Sequence, residues 1–221
     1  MGVAEWLKAT VCKTVQSRIQ IPLPTPIGNT MTVPRNIEQY VKVYQNILDN
    51  DFCKETIQQL SNIQWQQHRF YRSRSSSYVS FEKELSVSFD RTSNASKIEL
   101  KLRELIADYV SIDFADFRDW YSMYNAFANI RWNRYDIGTK MKLHCDHIHT
   151  LFQGPNRGVP VLSIVGALNE DYEGGEFMMW QDTEITLPQG SVLIFPSNFM
   201  YPHEVKEVAS GTRYTYVTWA W

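Results

Sequence analysis

Long hydrophobic runs, an excess of one charge and paired cysteines are all missing from this sequence. No apolar run approaches the 18 or so residues of a membrane span. The 22 Lys and Arg residues nearly balance the 24 Asp and Glu residues, for a net charge of −2, so neither a membrane nor nucleic acid is indicated as a partner. The three cysteines are widely spaced and form neither a disulfide framework nor a CxxC metal site, which is typical of reducing compartments. Residues 1–14 lack the apolar core of a signal peptide, and we expect a cytoplasmic protein.

The distribution of proline divides the chain into two unequal parts. Residues 20–36 carry four of the nine prolines, and because each proline removes a backbone donor, we predict an extended N-terminal arm over residues 1–40. The remaining length, 41–221, suits one domain with a sizeable core. Within that domain we expect a helical lead-in over 41–126 and a β-rich core over 127–221.

Two amphipathic segments in the lead-in predict helices. Asp49 offers N-cap chemistry for the first, and its apolar residues would face the core: Phe52, Ile57 and Leu60. The second begins with Ser96-x-x-Glu99, which matches a capping box. Its apolar residues repeat on one helical face: Ile98, Leu102, Leu105, Ile106 and Tyr109.

The sequence pattern of the last part of the chain is typical of a β-sandwich or barrel. Short apolar runs separated by Gly, Pro and Asn follow one another from residue 127 to the end. About seven or eight short strands in about 95 residues are typical of a jelly roll. Residues 68–94, rich in Ser, Arg and aromatic residues with partial alternation, predict a hairpin or a mobile loop. The expected fold class is mainly β with flanking helices around a double-stranded β-helix (jelly-roll) core.

Three of the five histidines crowd into the stretch 144–149, HCDHIH. Residues two apart in a strand share a face, so His144 and Asp146 would each offer one ligand to one metal ion. His203 begins another apparent strand 59 residues after His144. It completes a set of two imidazoles and one carboxylate, which is the set that non-haem Fe(II) oxygenases use. An HxD pair alone also occurs by chance as a surface or capping group.

Further motifs around these residues distinguish the set from a chance HxD pair. Their order along the chain is Tyr135-x2-Gly138-x5-His144-x-Asp146, Gly174-Gly175-Glu176, Pro188-x-Gly190, Phe195-Pro196, His203 and Gly211-x-Arg213. With this pattern, the stretch from about Asn129 to Trp221 resembles the 2-oxoglutarate- and Fe(II)-dependent dioxygenases. It is most similar to their prolyl 4-hydroxylase-like branch.

The resemblance implies a role for each matching residue. His144, Asp146 and His203 would be the iron ligands. Arg213 would pair with the distal carboxylate of 2-oxoglutarate, and its planar guanidinium suits that role because it binds a carboxylate bidentately. The implied reaction hydroxylates a C–H bond and converts 2-oxoglutarate to succinate and CO2, with ascorbate as reductant. The substrate would be a prolyl residue in a peptide, a free amino acid or another small metabolite.

Two hydroxyl groups are candidates to hydrogen-bond to the cosubstrate. Thr215 lies two residues after Arg213 and so on the same face of its strand. Tyr135 matches a tyrosine often seen nine residues before the first iron ligand, and its alternative role is an aromatic of the barrel wall. Met141 stands where relatives often have tyrosine, which puts in doubt one hydrogen bond that some of them make.

Several other residues are assigned to the surroundings of the site. Gly174-Gly175 predicts a tight turn, because glycine tolerates positive φ. His147 and His149 are interpreted as loop or substrate-contact residues. Trp180 and the aromatic residues of 68–94 are candidates for the substrate wall or for packing alone.

Three rival functions share parts of the pattern. A cupin-like metal-binding module would place its histidine within a few residues of Pro188-x-Gly190, whereas His203 lies 13 residues after Gly190. An AlkB-like nucleic-acid oxidative demethylase carries a second arginine six residues after the first, and here that position is Trp219. A non-catalytic binding module would have lost its metal ligands, and all three are present.

Overall fold

The computed structural model describes residues 36–72, 77–115, 128–146 and 160–221. Most of the predicted arm, together with His147 and His149, lies outside these described residues. From Ile37 onward the described residues form one compact unit. None of the helices in this part of the chain is long and apolar enough to cross a membrane.

The described residues form two α-helices, α1 (Asn50–Leu60) and α2 (Ala95–Asp108). The Asp49 carboxylate accepts the backbone N–H of Phe52 at 2.8 Å, which confirms the predicted N-cap of α1. Leu60 is buried, and Phe52 and Ile57 are half-buried against the same core. All five predicted apolar positions of the second helical segment are buried. The same residues also form a short 3-10 helix (Ile37–Tyr40) and a one-turn π-helix (Tyr109–Asp113).

The predicted capping box at the start of α2 is wrong. The helix begins two residues earlier than a cap at Ser96 requires, with Asn94 at the N-cap and no side-chain cap hydrogen bond. The Arg91 guanidinium binds both Glu99 oxygens, at 3.0 and 2.9 Å, and the Ser96 hydroxyl at 2.8 Å. These charge-assisted bonds occupy both side chains of the motif. Asn94 instead donates to the Thr56 hydroxyl at 3.0 Å and so links α2 to α1.

Fifteen short strands occur within the described residues. Their bounds are β1 (Lys42–Tyr44), β2 (Gln66–Gln67), β3 (Phe70–Arg72), β4 (Ser77–Val79), β5 (Ser86–Ser88), β6 (Arg131–Tyr135), β7 (Met141–His144), β8 (Leu162–Ala167), β9 (Glu173–Gly174), β10 (Phe177–Met179), β11 (Thr183–Ile185), β12 (Val192–Pro196), β13 (His203–Val205), β14 (Val208–Ser210) and β15 (Arg213–Ala220). The lead-in thus contributes five strands as well as two helices. The β3–β4 hairpin agrees with the hairpin interpretation of residues 68–94.

Two antiparallel sheets form the core of the fold. The larger has seven strands in the order β1-β12-β8-β15-β6-β5-β2, and the smaller has four in the order β11-β10-β13-β7. One apolar cluster, which we call the helix-side cluster, joins the larger sheet to α1 and α2 and includes Leu60, Leu102, Ile164 and Tyr216. A second, the inter-sheet cluster, joins the two sheets and includes Phe177, Phe195, Val205 and Val217. The two sheets therefore enclose a space that opposite strands can line.

Candidate metal centre

Three predicted ligand residues meet at the edge of the smaller sheet. His144 is the last residue of β7 and His203 the first of β13, and the two are direct register partners. Asp146 lies in the turn after β7 and not in a strand, which corrects the strand geometry expected from the sequence. The strand stops at His144 because its partner β13 begins opposite that residue.

The ligand atoms of these three side chains converge on one point. One atom from each of His144, Asp146 and His203 lies within 4.8 Å of the others. Asp146 Oδ1 is 3.6 Å from His144 Nε2 and 3.9 Å from His203 Nε2. Two nitrogens and one oxygen at this spacing surround a volume that one metal ion would fill. A set without thiolate that leaves coordination positions open suits Fe(II).

Backbone carbonyls orient both imidazoles. His144 Nδ1 is 2.7 Å from the Lys142 carbonyl oxygen, and His203 Nδ1 is 3.1 Å from that of Tyr201. A carbonyl only accepts, so each Nδ1 carries the proton and each Nε2 presents a lone pair. Such contacts with the second ring nitrogen fix the tautomer and the ring orientation of metal-binding histidines.

Asp146 is held through the carboxylate oxygen that faces away from the imidazoles. Its Oδ2 accepts the Ser163 hydroxyl at 2.6 Å and Trp219 Nε1 at 2.9 Å. Burial alone raises the pKa of Asp146, but its interactions with His144 and His203 and the bond from Ser163 outweigh it and hold that pKa well below its usual range. Asp146 is therefore ionised at neutral pH, with Oδ1 directed at the point of convergence.

The surroundings of His203 also favour the protonation state that binds a metal ion. Burial, with the nearby His144 as the next contribution, lowers the pKa of His203 to about 4. The imidazole is neutral at pH 7 and needs to lose no proton before it binds a metal ion.

Arg213 lies on the larger sheet, in the same cavity as the three ligand residues. Its side chain is buried, its Nε donates to the Tyr172 hydroxyl at 3.2 Å, and its Cζ lies 5.0 Å from the centre of the Tyr135 ring. Gly175 makes room for it, since a Cβ at that position would come within 3.0 Å of Arg213 Cδ. Among the described residues no carboxylate forms an ion pair with Arg213. A buried guanidinium without a counter-ion is costly, so the cavity favours an anion here.

The two predicted hydroxyl groups differ in their partners. Thr215 Oγ1 is buried and finds no hydrogen-bond partner within the described part of the chain. The Tyr135 hydroxyl lies 3.9 Å from Met141 Sδ, a weak acceptor, and it also interacts with the Arg213 side chain. Both residues line the cavity with Arg213. The cavity thus combines a cation with two hydroxyl groups, one of them without a partner in the described part of the chain, which fits a carboxylate ligand.

The structure also describes the glycine pair and the tryptophan that were predicted to surround the site. Gly174 and Gly175 adopt φ of 72° and 68°, as expected for glycine, but Gly174 lies in β9 and pairs with Val208, so the predicted tight turn is wrong. Trp180 does not line the metal cavity, since its Nε1 donates to the Met200 carbonyl at 2.8 Å and its ring packs against Tyr201.

Sequence reasoning missed three residues that line the cavity: Arg131, Ser163 and Trp219. Strand alternation could have identified two of them. Trp219 is six residues after Arg213 on β15, and Arg131 is four residues before Tyr135 on β6, so each shares a face with a predicted site residue. Ser163 had no such signal, because nothing in the sequence pairs it with Asp146.

The family model described as the 2OG-Fe(II) oxygenase superfamily matches residues 130–221. This range contains the three converging ligand residues and Arg213. Over this range, which is less than half of the chain, the protein is similar to this superfamily. This similarity supports a dioxygenase, and it implies Fe(II) and 2-oxoglutarate as cofactor and cosubstrate. The alternative of a cupin-like module without oxygenase activity is set aside.

Similar proteins agree with this assignment. A PKHD-type hydroxylase of Prochlorococcus marinus is 27% identical over 184 residues, which cover 78% of this chain and 74% of that protein. A prolyl hydroxylase of Trichoplax adhaerens, solved with a hypoxia inducible factor peptide, aligns with a TM-score of 0.57 at 17% identity over 83% of this chain and 84% of that one. A Pseudomonas putida prolyl-4-hydroxylase gives 0.54 at 16% identity over 82% and 91%. The prolyl 4-hydroxylase-like resemblance and the jelly-roll fold are confirmed.

Proposed function

We propose that this oxygenase hydroxylates a prolyl residue or a free amino acid, with Fe(II) held by His144, Asp146 and His203. The observation that carries the assignment is the convergence of three ligand atoms within 4.8 Å. The outer contacts of each side chain support it, because they turn both Nε2 atoms and Asp146 Oδ1 toward the same point. When bound, Fe(II) and 2-oxoglutarate supply the oxidative chemistry, which yields succinate and CO2.

We further propose that Arg213, Thr215 and Tyr135 bind the distal carboxylate of 2-oxoglutarate. Arg213 would supply two parallel N–H bonds, and the two hydroxyl groups would add single bonds. The uncommitted Thr215 Oγ1 supports this role, because a buried hydroxyl without a partner costs about 1–3 kcal/mol. The free space in the cavity is about 20 Å3, about the volume for one water molecule. The lining side chains must therefore move apart when 2-oxoglutarate binds.

The choice of substrate follows the chemistry of the similar proteins. The relatives are hydroxylases by name, and two of the solved ones are prolyl hydroxylases. A nucleic-acid substrate is disfavoured by the balanced charge and by Trp219, which stands where the AlkB-like enzymes carry their second arginine and instead binds Asp146.

The test is succinate release with Fe(II), 2-oxoglutarate and ascorbate against a panel of proline-containing peptides and free amino acids. We expect at least one compound to raise the rate above the substrate-free level and to gain 16 mass units. Omission of Fe(II) or of 2-oxoglutarate should abolish the effect. Absence of any metal-dependent succinate release across the whole panel would contradict the proposal.

A further inference from the structure

A second arginine faces the cavity at the end opposite Arg213. In the β6–β15 ladder Tyr135 pairs with Arg213, and Arg131 pairs with Val217. Four residues separate the two positions on each strand, or about 13 Å at the usual rise of about 3.3 Å per residue. Both arginines line the cavity that contains the metal-binding side chains. The cavity therefore has a cation at each end, and the cosubstrate accounts for only one of them.

The Arg131 guanidinium is positioned but has no counter-ion. Its Nε donates to Asn133 Oδ1 at 3.0 Å, and its Cζ lies 5.2 Å over the Trp219 ring. Within the described ranges it forms no ion pair with a carboxylate, and its two Nη atoms form no hydrogen bond. Burial lowers the pKa of Arg131, against the opposing influence of Tyr135 and Asp146. Asp146 is already bound by Ser163 and Trp219, so it is not the partner that the Nη atoms lack.

Arg131 also borders an open groove beside the metal cavity. The groove has a volume of about 360 Å3, and its lining includes Gln66, His68, Arg69 and Phe89 as well as Arg131. This volume is within the range of small-molecule sites. No Asp or Glu of the described chain lines it; the nearby Glu84 is buried and lies 3.5 Å from His68 Nδ1. The groove thus offers two arginines without an acid and shares one of them, Arg131, with the metal cavity.

We propose that the substrate is a small molecule with a free carboxylate, of the amino-acid class, and that the Nη atoms of Arg131 bind that carboxylate. This inference rests on the proposed function and narrows it. Because Nε is occupied by Asn133, the outer edge of the guanidinium presents two parallel N–H groups, which match one carboxylate. A residue inside a peptide carries no main-chain carboxylate, so it would leave Arg131 unpaired.

Direct binding tests the proposal independently of turnover. The full chain with the diamagnetic ion Zn(II) and saturating 2-oxoglutarate is titrated with the free amino acids, with their carboxamides and with internal prolyl peptides, and binding is followed by saturation-transfer NMR. We expect at least one free amino acid to bind and its carboxamide to bind about 10- to 150-fold more weakly, as for loss of a bond to a charged group. Arg131→Gln should weaken binding of the acid by a similar factor, and Arg131→Lys by less.

Arg134→Gln is the matched control. Arg134 lies on the same strand but on the other face, where it contacts Asp136 and the Trp65 ring, so amino-acid binding should stay at the wild-type level. Equal binding of acids and carboxamides, equal binding by wild type and Arg131→Gln, or binding of internal prolyl peptides alone would overturn the inference. The absorption band of the anaerobic Fe(II)–2-oxoglutarate complex is recorded for the wild type in parallel. Absence of this band would count against the proposed function. If the band is present but free amino acids and their carboxamides bind equally, only the role of Arg131 is contradicted.

Discussion

The two faces of strand β15 differ in what they bury, although their residues alternate along one strand. Tyr216 and Ala220 belong to the helix-side cluster, whereas Arg213, Thr215 and Trp219 face the metal cavity. The helix side is filled by apolar side chains from α1, α2 and the sheet. The cavity side holds a buried guanidinium without an ion-pair partner and a buried hydroxyl without a hydrogen-bond partner in the described chain.

This difference shows how one strand serves both stability and activity. Apolar contacts on the helix side stabilise the fold in proportion to the area they bury. Buried polar groups on the cavity side reduce stability until a ligand pairs with them. Substitutions on the cavity side should therefore change metal or cosubstrate binding, and substitutions on the helix side should change the free energy of unfolding.

The largest effect is expected from His203→Ala. Only two protein ligands would remain, and iron is weakly bound among the divalent transition metals, so turnover should fall by more than about 100-fold, beyond the range for loss of an outer contact. His144→Ala should behave in the same way. The measurement is Fe(II) affinity together with succinate release. Glu204→Gln is the control, because Glu204 is the next residue on β13 and forms an exposed ion pair with Lys206. Wild-type turnover in either histidine variant would remove that residue from the ligand set.

Arg213→Ala should affect the cosubstrate and not the metal. Breaking a buried charge pair from one side costs about 2–5 kcal/mol, so the apparent constant for 2-oxoglutarate should rise about 30- to 5000-fold. Arg213→Lys should restore part of the affinity, since lysine keeps the charge but not the bidentate geometry. The absorption of the anaerobic Fe(II) complex during a 2-oxoglutarate titration measures the effect. Unchanged affinity in Arg213→Ala would mean that another residue binds the distal carboxylate.

The sequence predicted the residues of the site better than the contacts that hold those residues in position. His144, Asp146, His203 and Arg213 stand in a motif with characteristic spacing, and the structure brings all four to one cavity. The contacts that Asp146 makes with Ser163 and Trp219 span 17 and 73 residues. Such contacts depend on the arrangement of strands, which no local pattern encodes.

Predictions from local sequence patterns also failed where another side chain bound the residues of the pattern. Ser96 and Glu99 match a capping box in sequence, but Arg91 occupies both side chains. The apolar periodicity of α2 succeeded because burial of a helical face depends on many residues together. The prediction that Asp146 lies in a strand failed because the length of β7 is set by its partner β13.

Leu102→Ala tests the helix side of the comparison. Leu102 is fully buried in α2, and loss of a buried leucine costs about 2–5 kcal/mol. We expect that decrease in the free energy of unfolding, measured by urea denaturation, with succinate release per folded molecule unchanged. Leu100→Ala is the matched control on the same helix, since Leu100 is 61% exposed and should change stability by no more than about 0.5 kcal/mol. A selective loss of Fe(II) affinity in Leu102→Ala would show that the two faces are coupled.

The smallest effect is expected from Ser163→Ala, which tests whether the outer contacts of Asp146 tune the metal centre. The substitution removes the hydroxyl that Asp146 Oδ2 accepts at 2.6 Å and leaves the bond from Trp219. Loss of an outer contact of this kind weakens metal affinity by about 10- to 100-fold, and we expect the low end because one of the two donors remains. Fe(II) affinity is measured by competition with a chelator. Ser191→Ala is the control, because Ser191 is also buried but donates to the Pro188 carbonyl. Equal Fe(II) affinity in the two variants would mean that Ser163 serves packing on the cavity side and does not position the carboxylate.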